Sequence, residues 1–162
     1  MIKNVYISMN DVFTDFESYY ATCAPYDPDQ RPRWHEVITH VKIYSRLEIL
    51  PGSWELAKYF MERPQYNTQI LTSAETTVPR LYMETTLQRK NWLLRYGINF
   101  NPIITYNQYD KAQYANKESV LISANHKALT CFNMKGGHII NHTTFEEDIA
   151  HFEKIVQENA LL

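Results

Sequence analysis

The residues of this sequence that could do chemistry together fall in three short segments, each following an apolar run. Val5-Tyr6-Ile7 runs into Ser8-Met9-Asn10-Asp11, Ile70-Leu71 into Thr72-Ser73-Ala74, and Val120-Leu121-Ile122 into Ser123-Ala124-Asn125. They offer hydroxyls and carboxamides, with Asp11 and Asp15 as the nearby carboxylates. Such groups hydrogen-bond an anion well but lack the charge a hard divalent cation prefers. A serine hydroxyl without an adjacent base is also a poor nucleophile. Elsewhere the reactive types are scattered. His35, His40, His126, His138, His142 and His151 show no HExxH or tight ligand spacing, so no zinc site is expected. Cys23 has no neighbour that would activate a thiol. Ser123 and His126 lack a GxSxG elbow, and no GxGxxG or GxxxxGK(S/T) phosphate loop occurs.

The elements that must position these segments alternate between strand and helix. Short apolar or β-branched runs predict strands at 5–7, 68–71, 103–105, 119–122 and 138–140. Helices are expected over about 15–24, 34–44, 54–61, 79–96, 124–134 and 143–157. Ser53 is expected to cap the helix from Trp54, and Gly97 to close the one from Pro79. Thr143 with Glu146, and Thr144 with Glu147, form candidate capping boxes. Pro25 to Pro32 is a breaker-rich loop. Strands alternating with helices imply a parallel α/β sheet covered on both faces. In such sheets the site lies at the carboxyl ends of the strands, where the three polar segments fall.

Bulk composition narrows the partners. The 162 residues carry a net charge of -2, which gives no general drive toward nucleic acid or an anionic membrane. No apolar run is long enough to span a bilayer, and Met1-Ile2-Lys3-Asn4 has no signal-peptide core, so a cytoplasmic location is expected. Cys23 and Cys131 leave one disulfide open, with two free thiols the simpler reading. Aromatic residues make up 14% of the chain. Most are expected in the core, but Tyr19, Tyr20, Tyr26, Trp34 and Tyr44 crowd one region, where they could stack a nucleobase or bind a protein.

The same segments, in order, resemble the motifs of the haloacid dehalogenase-like (HAD-like) 5'(3')-deoxyribonucleotidases. Val5 to Phe16 is similar to a first motif of hydrophobic strand, then Asp-x-Asp-Gly-Val-x-x-Asp-Phe, with Val12, Asp15 and Phe16 in register. Leu50-Pro51-Gly52 before a helix resembles the segment preceding the second motif, and Ile70 to Ala74 that motif itself. Arg89-Lys90-Asn91-Trp92-Leu93 resembles the third, basic motif, and Val120 to Asn125 sits where the family has Leu-Ile-Asp-Asp-Arg. The resemblance implies a HAD-like Rossmannoid sheet over 1–162 with a small helical cap at about 17–48.

The departures fall on the chemistry that the resemblance implies. Ser8 stands at the nucleophile position, Asn10 at the general acid/base, and Ser123-Ala124 at the acidic pair that holds Mg²⁺. An inactive pseudoenzyme with no Mg²⁺ cofactor is therefore expected, acting by binding. Its partner is expected to be a protein or a second copy, with a phage-encoded modulator of a host protein, working in the host cytoplasm, as one version. The alternatives are a metal-independent nucleotide or phosphate sensor, using Asn10, Asp11, Thr72, Ser73, Arg89, Lys90 and the cap aromatics, and a weak phosphatase of altered mechanism.

Overall fold

The structure is a computed structural model that describes residues 1–23 and 34–161. The proline-rich loop and Tyr26 lie outside the described residues. Five parallel strands form one sheet in the order β3-β2-β1-β4-β5: β1 (Asn4–Ile7), β2 (Asn67–Ser73), β3 (Asn101–Thr105), β4 (Ser119–Ser123) and β5 (His138–Asn141). In register, Ile7 lies beside Ile70 on one side and Ile122 on the other.

Alternate residues of the strands feed two apolar layers, as the two-residue period of a strand requires. Val5, Ile7, Ile70, Val120, Ile122 and Ile140 point to the larger layer. It is built with α3 (Ile43–Arg46), α4 (Ser53–Met61), α5 (Pro79–Arg95) and α7 (Phe145–Ala160). Tyr6, Leu71 and Leu121 point the other way, against α6 (His126–Met134) and a 3-10 helix at Tyr109–Tyr114. The sheet is thus α/β with helices on both faces, as the alternating pattern implies. Among the described residues no helix is long and apolar enough to cross a membrane.

Gly97 closes α5 as expected. It has φ of +66°, its N–H donates to Leu94 O, and Ile98 N–H donates to Leu93 O, a Schellman motif. Of the two capping boxes, Thr144 realises the cap, its hydroxyl accepting from Glu147 N–H at 3.3 Å. Ser53 does not cap α4. It lies inside the first turn, where its buried hydroxyl donates to Val12 O at 2.5 Å, tying α4 to the loop after β1. Gly52 takes the cap position with φ of +82°, and a Cβ there would lie 2.7 Å from Phe145 Cδ1. Gly52→Ala combines backbone strain with a clash and is expected to cost about 2 kcal/mol in urea unfolding. A change under about 0.5 kcal/mol would show that Phe145 yields freely.

The segment between β1 and α4 departs from expectation. Instead of one helix from Trp34 to Tyr44 there is a single turn, α2 (Trp34–Glu36), a π-helical turn (Val37–Val41) and α3, with α1 (Phe16–Thr22) before them. Lys42, at φ of +52°, breaks the run. The break is set by tertiary contacts. Gln88 donates to Ile38 O at 2.8 Å and Trp92 Nε1 to Leu47 O at 3.0 Å, so α5 dictates the path of this segment. Cys23 and Cys131 are free thiols.

β5 is fastened to α7 by the buried carboxylate of Asp148 and the half-buried His142. Asp148 accepts from His142 Nδ1 at 2.6 Å and from Thr143 N–H at 3.4 Å. Asp148→Ala leaves both donors without their acceptor and is expected to cost about 3 kcal/mol. Urea unfolding of the variant measures it; a loss below about 1 kcal/mol would mean that water replaces the carboxylate.

Candidate functional site

The carboxyl ends of β1, β2 and β4 open into a cleft of about 540 Å³. Its floor holds Ser8, Thr72, Ser73 and Ser123, each nearly or wholly buried. Parallel pairing puts them side by side: Ile7 and Ile122 are in register, so the next residues of β1 and β4 meet. Ser8 Oγ and Ser123 Oγ are 2.8 Å apart. Ser123 Oγ also accepts from Asn125 N–H at 3.1 Å, while the Asn125 side chain caps α6 by accepting from Ala128 N–H at 3.0 Å.

Against this hydroxyl pair lies a lysine that the sequence reading missed. Lys111 is 2% exposed, and its Nζ is 3.2 Å from Ser8 Oγ. Ser8 therefore has an amine beside it, a neighbour that nothing in the local sequence signals. Burial pushes the Lys111 ammonium down to about 7; Arg89 nearby adds to the effect and Glu75 opposes it. Glu75 is itself tethered, accepting from Ser73 Oγ at 2.7 Å.

Asn10 and Asp11 line the cleft beside Ser8. Asn10 Oδ1 accepts from Tyr44 Oη at 2.9 Å. Asp11 has φ of +60° and accepts from Glu17 N–H at 3.1 Å, so it caps the start of α1. Burial is the main cause that holds its carboxyl above the usual range.

Arg89 does not line the cleft. It is fully buried behind it, donating to Tyr44 Oη at 2.5 Å and to Ser73 O at 2.6 Å, with its guanidinium 4.4 Å from the Tyr44 ring centroid. Lys90, the next residue on α5, points to solvent. Arg89 thus braces the end of β2 and, through Tyr44, Asn10.

The cap aromatics divide similarly. Tyr20 and Trp34 line the cleft together with Phe16, which the sequence reading did not single out as a wall residue. Phe16 stacks on Tyr20 at 5.5 Å, and Trp34 meets both edge-on. Trp34 Nε1 donates to Ala74 O at 3.0 Å, which pins this wall to the end of β2. Tyr44 is buried behind Phe16, and Tyr19 packs against the core outside the cleft lining. Among the described residues no three His, Cys, Asp or Glu side chains converge on one point.

No family model and no curated protein matches this sequence. Among solved structures, the fold is similar to that of D,D-heptose 1,7-bisphosphate phosphatase from Burkholderia thailandensis. The TM-score is 0.52 at 11% identity, covering 92% of this chain and 84% of that one. At that identity the likeness shows the fold alone: a parallel α/β sheet of Rossmann type with helices on both faces.

Proposed function

We propose that this protein is a HAD-like binding protein that has given up metal-dependent phosphoryl transfer. Its cleft takes a nucleotide-like ligand, with the phosphate toward Lys111 and the ring toward Phe16, Tyr20 and Trp34. The described parts of the segment at about 17–48, residues 17–23 and 34–48, act as the cap over that cleft. The observation that carries this reading is the direct 2.8 Å contact of Ser8 with Ser123, backed by Lys111. The resemblance puts acids at these positions, with Mg²⁺ between them. Here two neutral hydroxyls close on each other beside an amine, the Asn10 carbonyl is taken by Tyr44, and Ala124 offers no side-chain donor. Asp11 and Glu75, carboxylates of the same cleft, are held by Glu17 N–H and Ser73 Oγ. The hydroxyl and amine set of Ser8, Ser123 and Lys111 does not suit Mg²⁺, which prefers carboxylate oxygens. It suits a phosphate oxygen, which accepts from hydroxyls and from an ammonium.

Thermal unfolding with a panel of nucleoside monophosphates and their nucleosides tests this. A ligand at 100 times its Kd adds about 2.7 kcal/mol, which raises Tm by several degrees. The shift is expected for a phosphorylated member, unchanged by EDTA, and larger at pH 6 than at pH 8.5 because Lys111 is charged only below about 7. No shift with any member would reject the reading.

A second reading is docking of a protein or a second copy. Met83, Leu87 and Leu94 favour it, because they lie at helical spacing on α5 and are 70%, 55% and 76% exposed. Sedimentation of wild type and Leu87→Glu decides its self-association form: a monomer at high concentration, unaltered by the substitution, removes it.

A further inference from the structure

We propose that Ser8 is a nucleophile with Lys111 as its base, and that it accepts the acyl group of a small activated ester, such as an aryl ester or thioester, bound in the cleft. This goes beyond the binding reading and does not rest on it. Ser8 Oγ stands between Lys111 Nζ at 3.2 Å and Ser123 Oγ at 2.8 Å, and Asn125 N–H feeds Ser123 Oγ from behind at 3.1 Å. Each hydroxyl can donate once and accept as well. In the structure Lys111 Nζ donates to Ser8 Oγ, and Ser8 Oγ donates to Ser123 Oγ. When the amine is neutral its lone pair is open to the Ser8 proton, and the Ser8 hydroxyl has only to turn from Ser123 Oγ to Lys111 Nζ to deliver it. Lysine is an established partner for a serine nucleophile, and burial is what prepares it.

The charged groups around Lys111 come from several elements. Arg89 on α5 favours the neutral amine and Glu75 after β2 opposes it. Asp11, Glu17, His126 and Lys127 stand on the cleft walls. In the step, Lys111 Nζ takes the Ser8 proton as Oγ bonds to the carbonyl carbon, and the carbonyl π pair moves to its oxygen. The resulting oxyanion faces the new ammonium. Collapse restores the C=O bond and breaks the bond to the aryloxide or thiolate. That group leaves with its electron pair and takes the proton from Lys111, leaving acyl-Ser8 and a neutral amine. A bound phosphate monoester would instead hold Lys111 as ammonium, which is no base. The two protonation states of one lysine thus divide anion binding from nucleophilic attack.

The test is p-nitrophenyl acetate with the full chain. Release of one p-nitrophenolate per chain is expected, with the acetyl group mapped to Ser8 by peptide mass spectrometry. The rate should climb between pH 6 and 7 and level off above about 8. Ser8→Ala and Lys111→Met, each checked for folding by circular dichroism, should lose the Ser8 adduct by at least about 100-fold, the lower end of what a general base contributes. Ser123→Ala should slow it less. The proposal is overturned by acetylation confined to surface lysines or the N-terminus, by an equal Ser8 adduct in Lys111→Met, or by a wild-type rate flat from pH 6 to 9. The wild-type profile decides even if a variant misfolds. Failure here leaves the thermal-shift result on nucleotides standing, so the two readings fall separately.

Discussion

Replacing Lys111 with methionine is expected to stabilise the fold at pH 6 by roughly 3 kcal/mol, and to do so less and less as the pH rises. Lys111 is 2% exposed and faces a hydroxyl rather than a carboxylate. Its pKa falls from an ordinary 10.5 to about 7. Between those values the unfolded chain holds the proton and the folded chain does not, so wild-type stability rises with pH, at about 1.4 kcal/mol per pH unit. Below pH 7 both states are charged and the whole penalty is present, on the order of 5 kcal/mol. Methionine is similar in length and carries no charge. It forfeits the hydrogen bond to Ser8, about 1–2 kcal/mol, but Ser8 keeps Ser123. The check is urea unfolding of both proteins at half-unit steps from pH 6 to 9. Stopping at 9 avoids the buried tyrosines, whose raised pKa values make stability fall above about 10. Parallel curves for wild type and variant would mean that Lys111 is well solvated.

Phe152→Ala is expected to have a comparable effect of opposite sign and different shape. Phe152 is 1% exposed and packs edge-on against Phe60 at 4.9 Å, Tyr66 at 5.0 Å and Tyr59 at 6.4 Å. It is the point at which α7 meets α4. Truncation forfeits the buried ring and leaves a cavity that the three aromatic neighbours cannot close, a cost of about 3–5 kcal/mol. Because Phe152 lies away from the cleft, the loss should be the same at pH 6 and pH 9. The pair of variants separates a lesion in the fold from one in the site: one moves the curve, the other changes its slope. A loss for Phe152→Ala that varies with pH would tie α7 to the titration of the cleft and undo that separation.

The sheet was legible because its central strands are buried on both faces and read as unbroken apolar runs, as at Val120-Leu121-Ile122. The polar ends of β1, β2 and β4 were legible for the same reason: each run stops abruptly at Ser8, Thr72 and Ser123. The helix expected from Trp34 to Tyr44 was not realised, because its path is fixed by Gln88 and Trp92 on α5, far away in sequence. The third-motif resemblance puts Arg89 toward a phosphate, yet the inward stripe of α5 includes Leu81, Thr85, Gln88, Arg89 and Trp92. That helical spacing carried the signal that Arg89 faces the core. Lys111 had no such signal. It sits in a six-residue 3-10 helix without apolar periodicity, 103 positions from Ser8, and only the folded sheet brings the two together.

The cleft floor carries a hydroxyl pair with an amine where the resemblance has carboxylates and Mg²⁺. Hydrolysis of p-nitrophenyl phosphate with Mg²⁺, and again with EDTA, addresses that most directly. The expected result is no chelator-sensitive turnover by wild type, and its appearance only when acids are restored at both Ser8 with Asn10 and Ser123 with Ala124. Wild-type turnover that depends on Mg²⁺ and disappears with EDTA would contradict the account.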